Sequence, residues 1–205
     1  MPKALVPVAG TPLVVHAVRA MQAAGVDIIV VTAPDGYVND MQALVPEAHV
    51  LVGGVLRQDS VALALSSLPA DVEIVLVHDA ARGLAPAALI TSVIDAVRAG
   101  ADAVIPVLPM ADTVKEVDAD GRVVHTIDRS HLRAVQTPQG FKRQVLQRAH
   151  DETTGDEVTD DAALVEALGL VVSTVPGAPL AMKVTTSTDL VVAESMLTAE
   201  VDRVG

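Results

Sequence analysis

The sequence predicts an α/β fold, in which a mostly parallel sheet is flanked by helices and a β-hairpin projects from it. Short aliphatic runs alternate with helical segments along the chain, which is typical of βαβ units. One of these runs ends abruptly in polar residues, and a pair of alternating runs interrupts the rhythm near the middle. The 205 residues are enough for one sizeable core, so we expect a single domain over 1–205.

The elements follow from hydrophobic periodicity and from the residues that bound each run. Helices are predicted at 12–24, 59–68, 86–99, 141–152, 159–168 and 188–203. Strands are predicted at 27–33, 49–52, 72–78, 103–108 and 170–175. Residues 153–157 are predicted to form a mobile surface loop.

The hairpin is predicted from two alternating runs, 113–117 and 122–127, which are joined by Asp118-Ala119-Asp120-Gly121. We interpret residues of about 110–136 as an arm that leaves the main sheet. A lone two-stranded hairpin is marginally stable in water. We therefore expect the arm to pack on a second copy of the chain, the alternative being that it folds back on its own domain.

Composition excludes several classes of protein. The chain has no cysteine, so thiolate metal sites, cysteine nucleophiles and disulfides are excluded. Its formal net charge of −12 opposes binding to nucleic acid, which needs a basic surface. Aromatic residues make up only 1%, so the core is aliphatic. No apolar run is long enough to cross a bilayer, and we expect a cytoplasmic protein that binds no membrane.

The most informative segment is the run from Ile74 to Arg82. Ile74–Val77 has the composition of a buried parallel strand, and ligands of open α/β sheets bind beyond the carboxyl ends of such strands. There Asp79 could hold a metal or a ribose hydroxyl, and Arg82 a phosphate. The small residues after Asp79 would let a ligand approach the backbone. The alternative is an ordinary strand end with a solvated acid and base.

The remaining candidates are cations and small polar residues at loop positions. Four cations fall near strand ends, namely Lys3, Arg82, Arg129 and Lys183. In an acidic protein they indicate a site for an anionic ligand, most simply a phosphate. The chain lacks the GxGxxG, GxxxxGK[ST], GxSxG and HExxH motifs, and we assign His78 to support of its loop. The absence of an evident nucleophile fits nucleotidyl transfer, in which a substrate supplies the nucleophile.

Helix starts provide further candidates. The glycine pair Gly53-Gly54 leads into a helix through Arg57, with Asp59 or Ser60 as the expected N-cap. Thr159 opens a later helix, where its hydroxyl can also serve as the cap.

In order along the chain, PKALVPVAGTPL, GGVLRQDSV, VLVHDAAR, DTVKEV, TIDR, TPQGF, VTDDAALVE and MKVT resemble the 2-C-methyl-D-erythritol 4-phosphate cytidylyltransferases. The resemblance implies a Rossmann-like nucleotidyltransferase fold of the GT-A-like type. It also implies transfer of a cytidylyl group from CTP to methylerythritol phosphate, with Mg²⁺ or another divalent cation. The family acts as a homodimer in which each arm completes the partner's site.

The resemblance also implies roles for individual residues. Lys3 corresponds to the lysine that grips the CTP phosphates and, with Lys183 and Arg129, to the catalytic cations. The CTP site would comprise Gly54, Ser60, Asp79 and Ala80, with Asp79 also at the metal. The sugar-phosphate site would comprise Arg82, Thr113, Arg129, Thr137, Thr159 and Lys183, of which Thr113 and Arg129 come from the other subunit's arm.

The family's N-terminal strand and Gly-rich loop are absent from this chain. Because that strand would be central in the sheet, we expect exposed apolar surface. A chain that truly begins at Met1 would then bind CTP poorly and turn over slowly, and the alternative is that the sequence is a fragment or has a misassigned start. Two alternatives remain open: a ribitol-5-phosphate cytidylyltransferase, and a non-catalytic nucleotide-binding or scaffold relative. A sugar-nucleotide glycosyltransferase fits less well, because no DxD motif follows a suitable strand.

Overall fold

The computed structural model describes residues 1–152 and 160–204, and their side chains through residue 199. The helices are α1 Leu13–Ala23, α2 Val38–Leu44, α3 Arg57–Ser67, α4 Ala87–Arg98, α5 Arg143–Glu152, α6 Asp161–Ala167 and α7 Ser187–Val204. The strands are β1 Pro7–Val8, β2 Thr11–Pro12, β3 Val30–Ala33, β4 His49–Val52, β5 Ile74–Val77, β6 Ala103–Pro109, β7 Val114–Val117, β8 Val123–Ile127, β9 Arg133–Val135, β10 Gln139–Lys142 and β11 Val172–Pro176. Short 3₁₀ turns occur at Lys3–Leu5, Ala80–Arg82, Arg129–His131 and Pro179–Ala181.

The main sheet is mixed, so the prediction of a mostly parallel sheet is confirmed only in part. Its order is β11-β6-β10-β5, with β9 added beside β6. The β11–β6 pair is parallel, but β10 runs antiparallel to both β6 and β5. The cause is β10 itself, a four-residue strand that periodicity does not reveal. The helix predicted at 141–152 begins only after β10, at Arg143.

Gly140 explains how helix α4 packs closely on this part of the sheet. A Cβ at Gly140 would lie 2.5 Å from Cγ1 of Val93 on α4, so any larger residue would push the helix outwards. Val93 is fully buried together with Val104 of β6. The glycine therefore sets the distance between α4 and the sheet.

Strand β5 departs from its prediction as a buried parallel strand. It pairs antiparallel with β10 through Gln139↔Val77, and all four of its residues are only half-buried. By contrast, the first five residues of β6 are buried, because β6 has neighbours on both sides. Among the residues that the structure describes, no strand pairs with the second edge of β5, which faces a cleft.

On the far side of that cleft, β3 and β4 form a separate parallel pair with the register Val30↔His49. The cleft has a volume of about 900 Å³ and is lined by β3, β5 and the helices α1 and α3. We call this space the central cleft. Two larger apolar clusters border it, one around α1 and β3 and one around β5, α5 and α6.

The predicted arm is confirmed as a hairpin. Strands β7 and β8 pair antiparallel from Val114↔Ile127, and they form a two-stranded sheet of their own. Both are largely exposed, including Val117, Val123 and Val124 at 54–61%.

The other predicted helices and strands are present, with ends that shift by up to three residues. Helix α2 and the short strands β1, β2 and β9 were not predicted. The loop predicted at 153–157 lies outside the described residues. In the part of the chain that the structure covers, no helix combines the length and the apolar character needed to cross a bilayer.

Candidate active site

The candidate site is built at the carboxyl end of β5, as the sequence predicts. The chain leaves Val77 through His78 and Asp79 and then enters the 3₁₀ turn Ala80–Arg82. The segment after Ala181 returns to this turn, because the Val184 N–H donates to the Ala81 carbonyl at 2.8 Å. This backbone bond sets Lys183 beside Asp79.

Asp79 is the centre of a charged cluster. Its carboxylate lies 2.8 Å from Nζ of Lys183 and 3.7 Å from Nε of Arg57, the first residue of α3. Burial alone would raise the pKa of Asp79, but the hydrogen bond and charge of Lys183, with the charges of Arg57 and Arg82, outweigh burial and hold that pKa below its usual range. Asp79 is therefore a carboxylate at neutral pH. Placing a charged lysine within an apolar segment costs free energy, and the ion pair between Lys183 and Asp79 offsets that cost.

The side chain of Thr137 links the backbone of Asp79 to the ring of His78. The Thr137 hydroxyl accepts the Asp79 N–H at 3.0 Å and is hydrogen-bonded to Nδ1 of His78 at 2.8 Å. Thr137 is buried and precedes a cis peptide bond to Pro138. The hydroxyl thus fixes the strand end that carries Asp79.

His78 is neutral at physiological pH. Burial lowers its pKa to about 4, and the charge of Arg82 adds to this, against the opposite effect of Asp79. Its Nε2 is buried and has no hydrogen-bond partner among the described residues. His78 therefore supports its loop as an uncharged group, in agreement with the sequence prediction.

Arg82 holds two other segments to the strand end. One terminal nitrogen donates to the Ala181 carbonyl at 2.9 Å and the other to the Val135 carbonyl at 3.1 Å. Burial lowers its pKa, which the charge of Asp79 partly opposes, but the guanidinium stays protonated at neutral pH because its ordinary pKa is so high. No carboxylate lies within 4 Å of Arg82 in the described ranges, so this cation adds positive charge to the site.

Lys3 belongs to another segment that contacts the same turn. The segment Lys3–Leu5 contacts Ala80–Arg82, and Lys3 lines a small cavity of about 220 Å³ with Val184 and Thr185. The segments that carry Lys3 and Lys183 thus both contact the Ala80–Arg82 turn, and a shared anionic ligand stays a prediction.

The glycine pair meets the start of α3. The Gly54 N–H donates to the Ser60 hydroxyl at 3.0 Å, and a Cβ on Gly54 would lie 2.2 Å from that of Asp59, so only glycine fits. The predicted cap at Asp59 or Ser60 is wrong, because the helix begins at Arg57 and Leu56 is its N-cap. Asp59 instead accepts the Leu56 N–H at 3.0 Å from within the first turn.

The arm residues lie apart from this cluster within a single chain. Thr113 and Arg129 are exposed at the base of the hairpin, and the Arg129 guanidinium donates to the Ala111 carbonyl. Their placement at a phosphate stays a prediction that needs a second subunit. Thr159 lies outside the described residues, and the cap of α6 is Asp160, whose carboxylate accepts the Ala163 N–H at 3.0 Å.

Sequence reasoning missed one functional neighbour of the site. Asp161 is fully buried and accepts a hydrogen bond of 2.7 Å from Arg57, the residue that also approaches Asp79. His150 of α5 lies 3.1 Å from its other oxygen. The sequence feature that could have revealed the pair is Asp161 itself, an acidic residue on the apolar side of α6. Burying such a charge is costly unless a cation pairs with it.

A divalent cation fits the site only if its other ligands come from substrate. No group of three or more histidine or acidic side chains that could hold a metal occurs among the described residues, and Asp79 is the carboxylate at the strand end. Mg²⁺ is commonly bound by one or two carboxylates together with substrate phosphates and water. Asp79 meets that requirement once a polyphosphate is present.

Comparison with known proteins agrees with this geometry. The family model of 2-C-methyl-D-erythritol 4-phosphate cytidylyltransferase matches residues 1–199. The enzyme of that description from Streptomyces coelicolor is 51% identical over 212 residues, covering 96% of this chain and 78% of the relative. The one from Frankia casuarinae is 53% identical over 198 residues, covering 96% and 74%.

Solved structures show the same likeness in three dimensions. The crystal structure of 2-C-methyl-D-erythritol 4-phosphate cytidylyltransferase from Thermus thermophilus aligns with a TM-score of 0.86 at 36% identity, over 96% of this chain and 94% of that one. The synthase structure from Anaerococcus prevotii aligns with a TM-score of 0.87 at 25% identity, over 95% and 93%. From the family match and these relatives, the chain belongs to the 2-C-methyl-D-erythritol 4-phosphate cytidylyltransferase family.

Proposed function

We propose that this chain transfers the cytidylyl group of CTP to 2-C-methyl-D-erythritol 4-phosphate and releases pyrophosphate. The observation that carries the proposal is the cluster at the end of β5, where Lys183 pairs with Asp79 and where Arg82 adds positive charge, with the segment of Lys3 in contact with the same turn. A triphosphate and a phosphate monoester are both strongly anionic, and such a cluster stabilises them together.

The reaction needs no general base from the protein. An oxygen of the acceptor phosphate forms a bond to the α-phosphorus of CTP, and the bond from that phosphorus to the β-bridging oxygen breaks. The electron pair leaves with pyrophosphate. A phosphate monoester is largely dianionic at neutral pH, so no proton has to be removed from the nucleophile. The protein's contribution is therefore positioning and charge stabilisation.

The cations are assigned to the groups whose charge grows. Lys3 would hold the triphosphate, and Lys183 would exchange its contact with Asp79 for the transferring phosphoryl group. Gly54, Ser60, Asp79 and Ala80 would bind CTP. A bound Mg²⁺, held by Asp79 and the phosphates, would supply further charge neutralisation.

The acceptor phosphate would be held by Arg82, Thr137, Lys183 and Thr159. With the His78 proton on Nδ1, the Thr137 hydroxyl accepts both of its present bonds, so its own proton is free to be donated to a phosphate oxygen. His78 is thus a positioning residue for Thr137.

We further propose that the chain is a homodimer whose arms supply Thr113 and Arg129 to the partner's phosphate site. The arm's exposed valines and its separation from the main sheet support this arrangement. A lone hairpin gains stability from packing on another surface.

The test is pyrophosphate release from CTP and Mg²⁺, with methylerythritol phosphate and ribitol 5-phosphate offered separately. Release with methylerythritol phosphate alone supports the proposal, and Lys183→Met should then lower the rate at least tenfold. Lys142→Met is the matched control, since Lys142 pairs with Asp102 at the same 2.8 Å, remote from the site. Release with ribitol 5-phosphate alone would identify the alternative acceptor, and CTP binding without product would identify a non-catalytic relative.

A further inference from the structure

One buried glutamine beside the candidate active site takes no part in the chemistry assigned above. Gln136 is 4% exposed and directly precedes Thr137, whose hydroxyl accepts the backbone N–H of Asp79. The Gln136 backbone N–H donates to the Pro106 carbonyl of β6 at 2.8 Å. Burying a side-chain amide is costly unless both of its polar ends find partners. The partners of this amide therefore indicate what it holds in place.

Both polar ends of the Gln136 amide bind one residue of another segment. Its Nε2 donates to the Ala178 carbonyl at 2.9 Å, and its Oε1 accepts the Ala178 N–H at 3.0 Å. Two opposite residues of an antiparallel strand pair exchange bonds in the same way. The amide thus holds Ala178 as a neighbouring strand would, although Ala178 lies outside the strands.

The two segments that this amide joins lie on opposite sides of β6. Val107 of β6 pairs with β9 on one side and with β11 on the other, and Gln136 follows β9 whereas Ala178 follows β11. Gly177 makes the approach possible. A Cβ at Gly177 would lie 2.4 Å from Oε1 of Gln136 and 3.0 Å from the Val107 carbonyl oxygen. A larger residue there would therefore displace the amide.

The segment held by the amide forms a short turn that also binds Arg82. The turn is Pro179–Ala181, and its last N–H donates at 2.9 Å to the same Ala178 carbonyl that accepts the Gln136 amide. The Ala181 carbonyl accepts the bond of 2.9 Å from the Arg82 guanidinium. Gln136 therefore fixes the start of the turn, and Arg82 fixes its end.

Lys183 follows this turn by two residues. Its Nζ lies 2.8 Å from the Asp79 carboxylate, and the neighbouring Val184 N–H donates to the Ala81 carbonyl at 2.8 Å. A long lysine side chain is directed by its backbone, so a shift of the turn moves the amine. In group transfer, a misplacement of about 1 Å can lower the rate about a hundredfold.

We propose that Gln136 is a positioning residue for Lys183. Its amide holds the 178–184 segment in register with Thr137, so that the lysine amine lies beside Asp79 before substrate binds. This role rests on the proposed function, in which Lys183 contacts the transferring phosphoryl group. Gln136 acts through the backbone of that segment and not by contact with a substrate.

The kinetic test compares Gln136→Leu with Gln42→Leu in the pyrophosphate assay. Gln42 is the matched control, because its amide likewise donates to one carbonyl, that of Ala48 at 2.9 Å, and accepts one N–H, that of Val50 at 3.2 Å. These bonds lie at the amino end of β4, whereas the glycine pair of the site follows its carboxyl end. Gln136→Leu should lower kcat/KM for the acceptor about tenfold or more, and Gln42→Leu should change it by less than about twofold. Equal values in the two variants would overturn the role.

A double variant separates positioning of Lys183 from a general loss of structure. If Gln136 acts through Lys183, then Gln136→Leu combined with Lys183→Met should be less than about threefold slower than Lys183→Met alone. A rate that falls by the product of the two single effects would show that the residues act independently, and it would overturn the proposal.

Hydrogen exchange measured by NMR tests the same role without turnover. In Gln136→Leu and in Gly177→Ala, exchange should become about fivefold faster or more at the N–H of Ala178 and at that of Val184, which Gln136 does not bind. Unchanged exchange at Val184 would overturn the proposal, because the loss would then stop short of Lys183. Absence of pyrophosphate release from the unaltered chain would contradict the proposed function alone, and exchange at Val184 would still decide the role of Gln136.

Discussion

Replacing Thr137 with valine removes the hydroxyl that joins His78 to the backbone of Asp79. That hydroxyl accepts the Asp79 N–H at 3.0 Å and is bonded to His78 at 2.8 Å, and Thr137 is only 5% exposed. Valine has nearly the same shape, so the change leaves two polar groups without a partner and creates little cavity. An unsatisfied buried polar group costs about 1–3 kcal/mol, so for two such groups we expect a loss of about 2–6 kcal/mol in the free energy of unfolding.

Urea unfolding followed by circular dichroism measures this loss, since the chain has no tryptophan. Thr137→Ser is the control, because it keeps the hydroxyl and removes one methyl group, at a cost of about 1 kcal/mol. In the pyrophosphate assay, valine should lower kcat/KM for the acceptor, and serine should restore most of it. If the valine variant unfolds at the same urea concentration as the serine variant, the hydroxyl does not hold the strand end and the reasoning fails.

Two further predictions concern the charged groups around Asp79 and Arg57, and a third concerns the arm. Because the pKa of Asp79 is held low, its contribution to stability is present above the ordinary aspartate pKa of about 4 and is lost as the pH falls through the native value. In Lys183→Met, unfolding experiments should show this loss starting at higher pH. Asp161→Asn removes the charge that Arg57 meets at 2.7 Å and should cost about 1–2 kcal/mol in urea unfolding, since Arg57 is partly exposed. Val123→Asp, at an arm residue 61% exposed, should shift sedimentation from dimer towards monomer.

Each of these variants has a matched control variant elsewhere in the chain. Lys142→Met and Asp102→Asn remove the two halves of a half-exposed pair of 2.8 Å, and neither should reproduce the effects at Lys183 or Asp161. Val171→Asp, at a 73% exposed position outside the arm, should leave sedimentation unchanged. Equal effects in variant and counterpart would contradict the roles assigned here.

The sequence was sufficient to locate the candidate site, because its signal is local. An aliphatic run that ends in Asp79 and Arg82 marks a strand end, and the structure places Lys183 and Thr137 at that same end. The hairpin was likewise found from alternation and a turn in adjacent residues.

The direction and burial of β5 were not predictable in the same way. Pairing is a long-range property: β10 lies more than sixty residues further along the chain, and its four residues carry no clear period. The half-burial of β5 accompanies the space between β5 and β3, and the family resemblance leads one to expect exposed apolar surface in the sheet. The Arg57–Asp161 pair was missed for the same reason, since it joins positions 104 residues apart.

The most direct test of the account is the fate of ¹⁸O in the acceptor's phosphate. Methylerythritol phosphate carrying ¹⁸O at its non-bridging oxygens is incubated with the chain, CTP and Mg²⁺, and the products are examined by ³¹P NMR. Attack by the acceptor phosphate on the α-phosphorus predicts a diphosphate product with ¹⁸O in its bridging position, together with unlabelled pyrophosphate. Labelled pyrophosphate, or the absence of any cytidine diphosphate product, would contradict the central claim.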